Sequence, residues 1–157
     1  MTALREAALA AIASRLTSEM PTVTVERARR APVDTDVEVL PKVILTAGDV
    51  TADESQEPGY THYTIGFSVH GFVTADTDLE LEQAQSELHG SVQAALAGWT
   101  PNVTGLGTVE EQEGQFVTYD IEESARPAST FQASFTILAI GQDVALLDTG
   151  GGFLELG

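Results

Sequence analysis

Few side chains in this sequence have the type and spacing that catalysis or metal binding requires. The first candidates are the three histidines. His62 and His70 lie on one predicted strand, and His89 lies on the predicted helix that follows. On the strand, the first two would face the same side about 26 Å apart. That distance excludes a shared metal ion, and His89 lies off the apolar stripe of its helix. We therefore interpret the histidines as hydrogen-bonded or solvated side chains.

Two short motifs resemble ligand-binding loops but lack the residues that such loops require. The Asp-Thr-Asp sequence at 34–36 lacks the glycine, the further oxygen ligands and the terminal glutamate of an EF-hand. The Gly-Leu-Gly sequence at 105–107 lacks the third glycine and the lysine of a phosphate loop, and no predicted strand leads into it. Neither motif predicts a metal or nucleotide site.

One segment is similar to an active-site sequence of a known enzyme class. Ala-Leu-Leu-Asp-Thr-Gly at 145–150 resembles the active-site segment of retroviral-type aspartic proteases. That family also needs a flap and a second hydrophobic-glycine segment after the motif, whereas seven residues follow Gly150. We therefore interpret the match as chance. No serine or threonine lies in a recognisable nucleophile elbow, so we expect a protein that is not an enzyme and has no cofactor.

The formal net charge of −17 is concentrated in the later part of the chain. Residues 1–42 contain six basic and six acidic side chains, whereas residues 43–157 contain Arg126 and eighteen acidic ones. Such a surface repels phosphate groups, so free binding to DNA or RNA is not expected. Two interpretations stay open. The acids keep the protein soluble, or they face nucleic acid that must pass without being held.

Composition narrows the class of protein further. The chain has no cysteine, which excludes disulfide bonds and thiolate metal sites. No apolar run approaches the roughly 20 residues that a membrane-spanning helix needs, and the first residues do not resemble a signal peptide. With 157 residues, of which 43% are apolar, we expect one soluble domain with a real core.

The rest of the sequence is organised around one strand and the helix after it. Apolar and polar residues alternate over residues 63–73, which predicts a central strand with Ile65 and Phe67 facing the core. Thr77 and the glutamate three residues later match a capping box, and Gly98 lies where helices commonly end. Apolar residues at helical spacing between them predict a long amphipathic helix. Such a pair is the nucleus of a two-layer domain.

The other elements complete a predicted order of helix, strand, strand, strand, helix, strand, strand. The sequence predicts a helix at 3–19, strands at 22–27, 42–47, 115–121 and 131–139, and long loops at 31–40, 50–59 and 99–114. We predict an α/β (α+β) single domain at 1–140, with a mixed β-sheet of about five strands and two main helices packed on it. Residues 141–157 form an apolar, glycine-rich C-terminal extension that is expected to contact a subunit or partner.

A family resemblance rests on the order and sequence of these elements. Pro-Thr-Val-Thr-Val-Glu-Arg at 21–27 follows a helix rich in leucine and alanine, and Pro-Lys-Val-Ile-Leu at 41–45 precedes Gly-Asp and an acidic loop. An alternating strand then ends in His-Gly-Phe-Val at 70–73, before a long acidic helix and a final alternating strand. Over residues 3–140 the chain resembles the tail terminator (tail completion, minor-tail-U-like) proteins of long-tailed bacteriophages and phage-like gene transfer particles.

The resemblance implies a function in assembly rather than catalysis. Members of that family form a homohexameric ring that caps the tail tube and joins it to the neck. The implied partners are the tail tube protein and a neck or stopper protein, and DNA passes through the ring without specific binding. The implied place is the virion, at the tail–neck junction, assembled in the bacterial host cytoplasm with no membrane contact. The alternatives are a head-completion or stopper protein, or a small acidic adaptor that is not an enzyme.

Two groups of residues are predicted to make the contacts of such a ring. The predicted subunit interface contains a basic cluster and apolar residues of the extension, namely Arg27, Arg29, Arg30, Leu146, Leu147, Phe153 and Leu154. The arginines are expected to meet carboxylates of an adjacent subunit. The predicted channel-facing acids are Asp53, Glu54, Glu57, Glu110, Glu111 and Glu113. The loops at 31–40 and 50–59 are expected to become ordered in an assembly.

Overall fold

The structure is a computed structural model that describes residues 3–53, 60–112, 117–121 and 125–142. The elements in these ranges are α1 (Leu4–Glu19), β1 (Thr24–Arg27), β2 (Lys42–Asp53), β3 (Tyr60–Thr74), α2 (Asp78–Leu96), β4 (Leu106–Glu111), β5 (Val117–Asp120) and β6 (Ala128–Gln142). The predicted α+β class, with two helices on a mixed sheet, is confirmed. The described ranges contain six strands rather than about five.

The sheet has the strand order β1-β2-β3-β6-β4, and β5 pairs with β6 beside that path. β1 lies parallel to β2, and the other pairs are antiparallel. β3 occupies the middle of the sheet, as the alternation over residues 63–73 predicts. It pairs with β6 along its whole length, from Thr74 beside Ala128 to Tyr60 beside Gln142.

Both helices pack on one face of the sheet, and the core lies between them and the strands. Phe67 of β3 is 1% exposed and stacks on Phe135 of β6 with 5.5 Å between the ring centroids. The predicted inward face of β3 is therefore confirmed. The largest fully buried side chains are Phe67, Phe131, Phe135, Ile12, Leu16, Leu45, Ile65, Leu96, Ile137, Val43, Val69 and Val92.

The long helix α2 begins and ends at the residues that its sequence indicates. The hydroxyl of Thr77 accepts a hydrogen bond of 3.2 Å from the backbone N–H of Glu80, which satisfies one donor of the first turn. Gly98 has a φ of +77°, the left-handed conformation that commonly ends a helix. The residues of α1 that are buried against the core are Ala8, Leu9, Ile12 and Leu16.

Gly71 takes an inward position on β3 where the alternation predicts an apolar side chain. It lies opposite Phe131 in the register of β3 and β6, and the phenyl ring covers it. A Cβ atom at Gly71 would lie 2.3 Å from the ring. The neighbouring strand therefore fills the space that a side chain at position 71 would need.

β2 continues past the point where the sequence predicts its end. Gly48 and Asp49 lie inside the strand, where the pairing register with β3 shifts between Ala47 and Val50. A Cβ atom at Gly48 would lie 2.9 Å from the carbonyl oxygen of Gly66, so glycine permits a close approach of the two strands. The glycine marks a bulge rather than a strand end. The predicted loop at 50–59 is thus wrong for residues 50–53, and residues 54–59 lie outside the described ranges.

β4 occupies residues that the sequence predicts as loop. Leu106 and Val109 are its buried residues, and they pair with Ala139 and Ile137 of β6 across a register shift. Because of that shift, the buried positions are three residues apart, and the sequence lacks the period of two that indicates a strand. Trp99 packs against the core at this edge.

Candidate subunit and partner interface

The sheet face opposite the helices presents uncharged side chains along β3 and β6. The positions that alternate with the core are Thr64, Gly66, Ser68, His70, Phe72, Thr130, Gln132, Ser134, Thr136, Leu138 and Ile140. We call this set the open face. None of its members is charged, although the chain contains 24 acidic residues. Acidic side chains are thus excluded from the two central strands of this surface.

Exposed apolar side chains lie on the same surface. Leu138 and Ile140 are 40% and 39% exposed, whereas their inward neighbours are fully buried. Val117 and Tyr119 of β5 are also exposed and lie opposite Gln132 and Thr130, so they share the open face. An uncharged surface with exposed apolar and aromatic side chains is typical of a contact with another protein.

The three arginines of the predicted basic cluster have different surroundings. Arg27 donates a hydrogen bond of 2.8 Å to Glu6 on α1, which lowers the pKa of that carboxyl. Both side chains are largely exposed, and such pairs contribute little to stability. The pairing with a carboxylate that the sequence predicts is present, but the carboxylate comes from the same chain.

Arg29 lies in a second and tighter set of ion pairs, which we call the charge cluster: Glu26, Arg29, Glu38 and Lys42. Glu38 accepts two hydrogen bonds from the guanidinium group, one of them 2.7 Å long, and one of 2.5 Å from the Lys42 ammonium. Glu26 lies 3.0 Å from Arg29 and 2.8 Å from Lys42. The carboxylates that hold Arg29 come from its own chain. They remove the reason to expect Arg29 to contact another subunit.

The charged groups of the charge cluster shift one another's pKa values. Hydrogen bonds from Arg29 first, and then from Lys42 and the Asp34 backbone, hold the pKa of Glu38 far below its ordinary value. Burial lowers the pKa of Lys42, but Glu26 and Glu38 outweigh burial and leave it raised. The charged forms are therefore favoured in the folded protein.

The charge cluster fastens the loop at 31–40 to the sheet. Arg29 donates to the carbonyl oxygens of Ala31 and Pro32, and Glu38 accepts from the backbone N–H of Asp34. Farther along the loop, Asp36 accepts a hydrogen bond of 2.8 Å from the backbone N–H of Ala125. These contacts lie within one chain, so we now expect this loop to be ordered in the isolated subunit.

Replacing Glu38 with glutamine is expected to loosen the loop and lower the melting temperature at neutral pH. The depressed pKa of Glu38 makes its contribution present above the unfolded-state pKa, and it is lost as pH falls through the folded value. The difference between variant and parent should therefore shrink in acid. Thermolysin cleavage near the exposed Val37 and Val39 measures loop opening. Glu82→Gln, on the exposed side of α2, is the matched control, and equal cleavage of both variants would contradict the assignment.

Arg30 differs from its two neighbours in the predicted interface. Its side chain is exposed, and it makes no hydrogen bond or ion pair with any residue in the described ranges. The positive φ of 53° at Ala28 turns the chain between β1 and this residue. Of the three arginines in the predicted interface, Arg30 is therefore the one whose guanidinium group meets no carboxylate within the described ranges.

The predicted channel-facing acids separate into distinct environments. Glu110 is exposed and lies opposite Thr136, on the side of the open face. Glu111 instead accepts one hydrogen bond of 2.5 Å from Gln93 of α2, and its other carboxylate oxygen lies 2.8 Å from the His89 ring nitrogen. Both glutamates are strand residues rather than the loop residues that the sequence predicts. Since Glu111 joins α2 to β4, it is not a candidate for lining a channel.

The remaining predicted contact residues are described in part or not at all. Asp53 is the last residue of β2, and its backbone lies opposite His62 of β3. Seven further predicted residues lie outside the described ranges, namely Glu54, Glu57, Glu113, Leu146, Leu147, Phe153 and Leu154. Their roles in a channel or a subunit interface stay predictions.

The histidines occupy separate places. His89 contacts Glu111 and the Phe131 ring, as expected for a hydrogen-bonded side chain. His70 lies on the open face, where burial lowers its pKa. Within the described ranges, no group of three or more histidine, aspartate or glutamate side chains is placed to hold a metal ion. No described helix is long and apolar enough to cross a membrane.

Comparisons with known proteins give a likeness in fold. No protein-family model and no curated protein matches the chain. Solved structures do match, and one of them is a chain from a structure described as the virion of a native gene transfer agent particle. The TM-score is 0.54 at 14% sequence identity, and the likeness covers 88% of this chain and 96% of that chain. This chain therefore shares its fold with a chain of that particle.

Proposed function

We propose that this protein is a structural component of a virion and acts as its tail terminator. In this role a homohexameric ring caps the tail tube at the tail–neck junction, and DNA passes through the ring. The supporting observation is the likeness to a chain of a gene transfer agent particle over 88% of this chain and 96% of that one. Because the likeness extends over nearly the whole of both chains, it is more than a shared supersecondary motif.

The surfaces of the subunit suit such an assembly. A ring of identical subunits needs two different surfaces on each copy that fit one another. The open face, with Val117, Tyr119, Leu138 and Ile140 exposed, is one candidate, and the exposed Arg30 belongs to another. A net charge of −17 disfavours retention of DNA by the assembled ring.

The mass of the purified protein tests the ring directly. We expect mass photometry and negative-stain images to show closed rings, either for the protein alone or after addition of tail tubes. A protein that stays monomeric under both conditions would support the small adaptor instead.

Deletion of the protein from assembling particles distinguishes the terminator from a neck stopper. A cap on the tube limits its growth, so its loss should give tails of uncontrolled length without heads. Loss of a stopper should leave tails of normal length and heads that lose their DNA. Normal tails in the deletion would refute the terminator assignment.

Charge reversal at Arg30 is expected to weaken ring formation. The exposed guanidinium group meets no described carboxylate of its own chain, and an acidic neighbour offers many. The effect of Arg30→Glu should grow as ionic strength falls, because salt screens exposed charges. Arg126→Glu changes the net charge equally at an exposed site that pairs with Asp76, and it serves as the control. Normal assembly of Arg30→Glu at low salt would give Arg30 another role.

A further inference from the structure

The two edges of the sheet differ in how their backbone groups are used. At the β4 edge, Val109 donates to the Trp99 carbonyl oxygen and accepts from Gly98 N–H, both at 2.8 Å. That edge is therefore covered by the chain's own backbone. β1 forms the opposite edge and, among the described strands, pairs with β2 alone.

The hydrogen bonds of β1 leave alternate residues directed outward. Thr24 N–H donates to Pro41 and Ala28 N–H donates to Leu45, both on the β2 side. Because successive residues of a strand alternate in direction, Val25 and Arg27 between them direct their backbone groups away from β2. An edge with outward N–H and C=O groups is a template for another strand.

A groove lies between this edge and α1, and we call it the α1–β1 groove. Its lining residues are Ala13, Ser14, Thr17 and Ser18 of α1, and Val25 and Arg27 of β1. The α1 residues are small, and the groove volume is about 440 Å³. It offers backbone partners on one side and space for apolar side chains on the other.

We infer that the α1–β1 groove accepts residues 143–157 of a neighbouring copy as an added strand along β1. This inference rests on the proposed ring. In β-strand addition, main-chain hydrogen bonds join the strands, and alternate side chains enter pockets. Val144 and Leu146 have that spacing, and the small residues of α1 leave room for them.

The segment is long enough to line the groove. β6 ends at Gln142, and fifteen residues follow it, which span at most about 50 Å when extended. Their charged side chains are all acidic: Asp143, Asp148 and Glu155. The charged residue of the groove lining is Arg27. Because Arg27 already pairs with Glu6 of its own chain, it is the apolar residues of the segment, rather than its acids, that fit the groove.

The end of β6 and the α1–β1 groove lie at different places on the subunit. A Cβ atom at Gly141 would lie 3.5 Å from Leu4, so β6 ends beside the first turn of α1. The groove lies along the last turns of α1, at the sheet edge beyond β3 and β2. Each subunit thus donates at one place and accepts at another, which is what a head-to-tail ring requires.

Cysteine cross-linking tests the contact cleanly, because the chain has no cysteine of its own. We mix full-length Ser18→Cys with full-length Leu146→Cys, allow assembly and oxidise. The expected product is a disulfide-linked dimer that contains one copy of each variant. Mixing Ser91→Cys with Leu146→Cys is the matched control, because Ser91 is an exposed serine on the other helix. The control should give little of the mixed dimer.

The possible outcomes distinguish a failure of the groove proposal from a failure of the proposed ring. Rings that form without the mixed Ser18→Cys and Leu146→Cys dimer would overturn the groove assignment alone. In a further variant that carries both Ser18→Cys and Leu146→Cys in one chain, a disulfide confined to single chains would also overturn it, because the segment would then fold onto its own subunit. An unmodified protein that stays monomeric with and without tail tubes would overturn the proposed function itself.

A backbone variant provides a second measurement. Val25→Pro removes an outward N–H and leaves the described inner bonds of Thr24 and Ala28, so β1 is expected to stay paired with β2. We expect this variant to lose rings while its circular dichroism spectrum is unchanged. Val25→Ala keeps the N–H and should retain rings. Folded Val25→Pro protein that assembles like the parent would contradict strand addition.

Discussion

Replacing Phe67 with alanine is expected to lower the free energy of unfolding by about 3–5 kcal/mol. Phe67 is 1% exposed in the centre of β3, and its ring stacks on Phe135 at an interplanar angle of 12°. Truncation removes buried apolar area and leaves a cavity in the core between the sheet and the helices. Denaturant unfolding measures the change.

Phe72→Ala is the matched control for this substitution. Phe72 lies on the same strand, but on the open face, where it is only half-buried. Replacing Phe72 should lower the free energy of unfolding of the isolated subunit clearly less than replacing Phe67 does. Equal losses at the two positions would mean that the two faces of β3 are wrongly assigned.

Lysine substitutions at acidic positions near the proposed channel are expected to reduce DNA delivery by assembled particles. Each lysine that faces the lumen adds a contact to phosphate, and such contacts determine the strength of non-specific binding. The first set replaces Asp53, Glu54 and Glu57 with lysine. The second is Glu110 and Glu113, without Glu111, because Glu111 holds Gln93 of α2. Delivery is measured by transfer of a marker gene at equal particle number.

Lysine substitutions on the outer side of α2 control for the change in net charge. Glu80, Glu82 and Glu87 are exposed there, and replacing all three should leave delivery unchanged. Normal delivery by both channel sets, in particles with normal tails, would leave solubility as the explanation of the acids. Equal loss in the α2 variant would attribute the effect to net charge rather than to a channel.

The periodic elements follow from the sequence because each is a local pattern. Alternation over residues 63–73 places Phe67 in the core, and Thr77 and Gly98 bound the second helix, so β3 and α2 are predictable. The absence of cysteine and the charge of −17 are likewise properties of composition. They limit the chemistry and the partners of the protein without reference to any contact.

Tertiary structure decides the features that depend on a partner distant in sequence. Gly48 becomes a bulge and Leu106 begins a strand because β3 and β6 accept shifted registers, and neither shift leaves a local period. Arg29 and Glu111 look like exposed charges in sequence, yet Glu38 and Gln93 engage them. Which acids remain exposed is therefore a matter of packing.

The features of the candidate interface also divide into those that the sequence determines and those that tertiary structure decides. The sequence by itself determined that the chain is acidic, without cysteine, and built around a central strand with two unlike faces. Only the tertiary structure decided that the outer face carries no charge along β3 and β6, and that β1 is the edge with outward backbone groups. The reason is physical: a face or an edge exists only once strands pair, and pairing joins residues that the sequence keeps far apart.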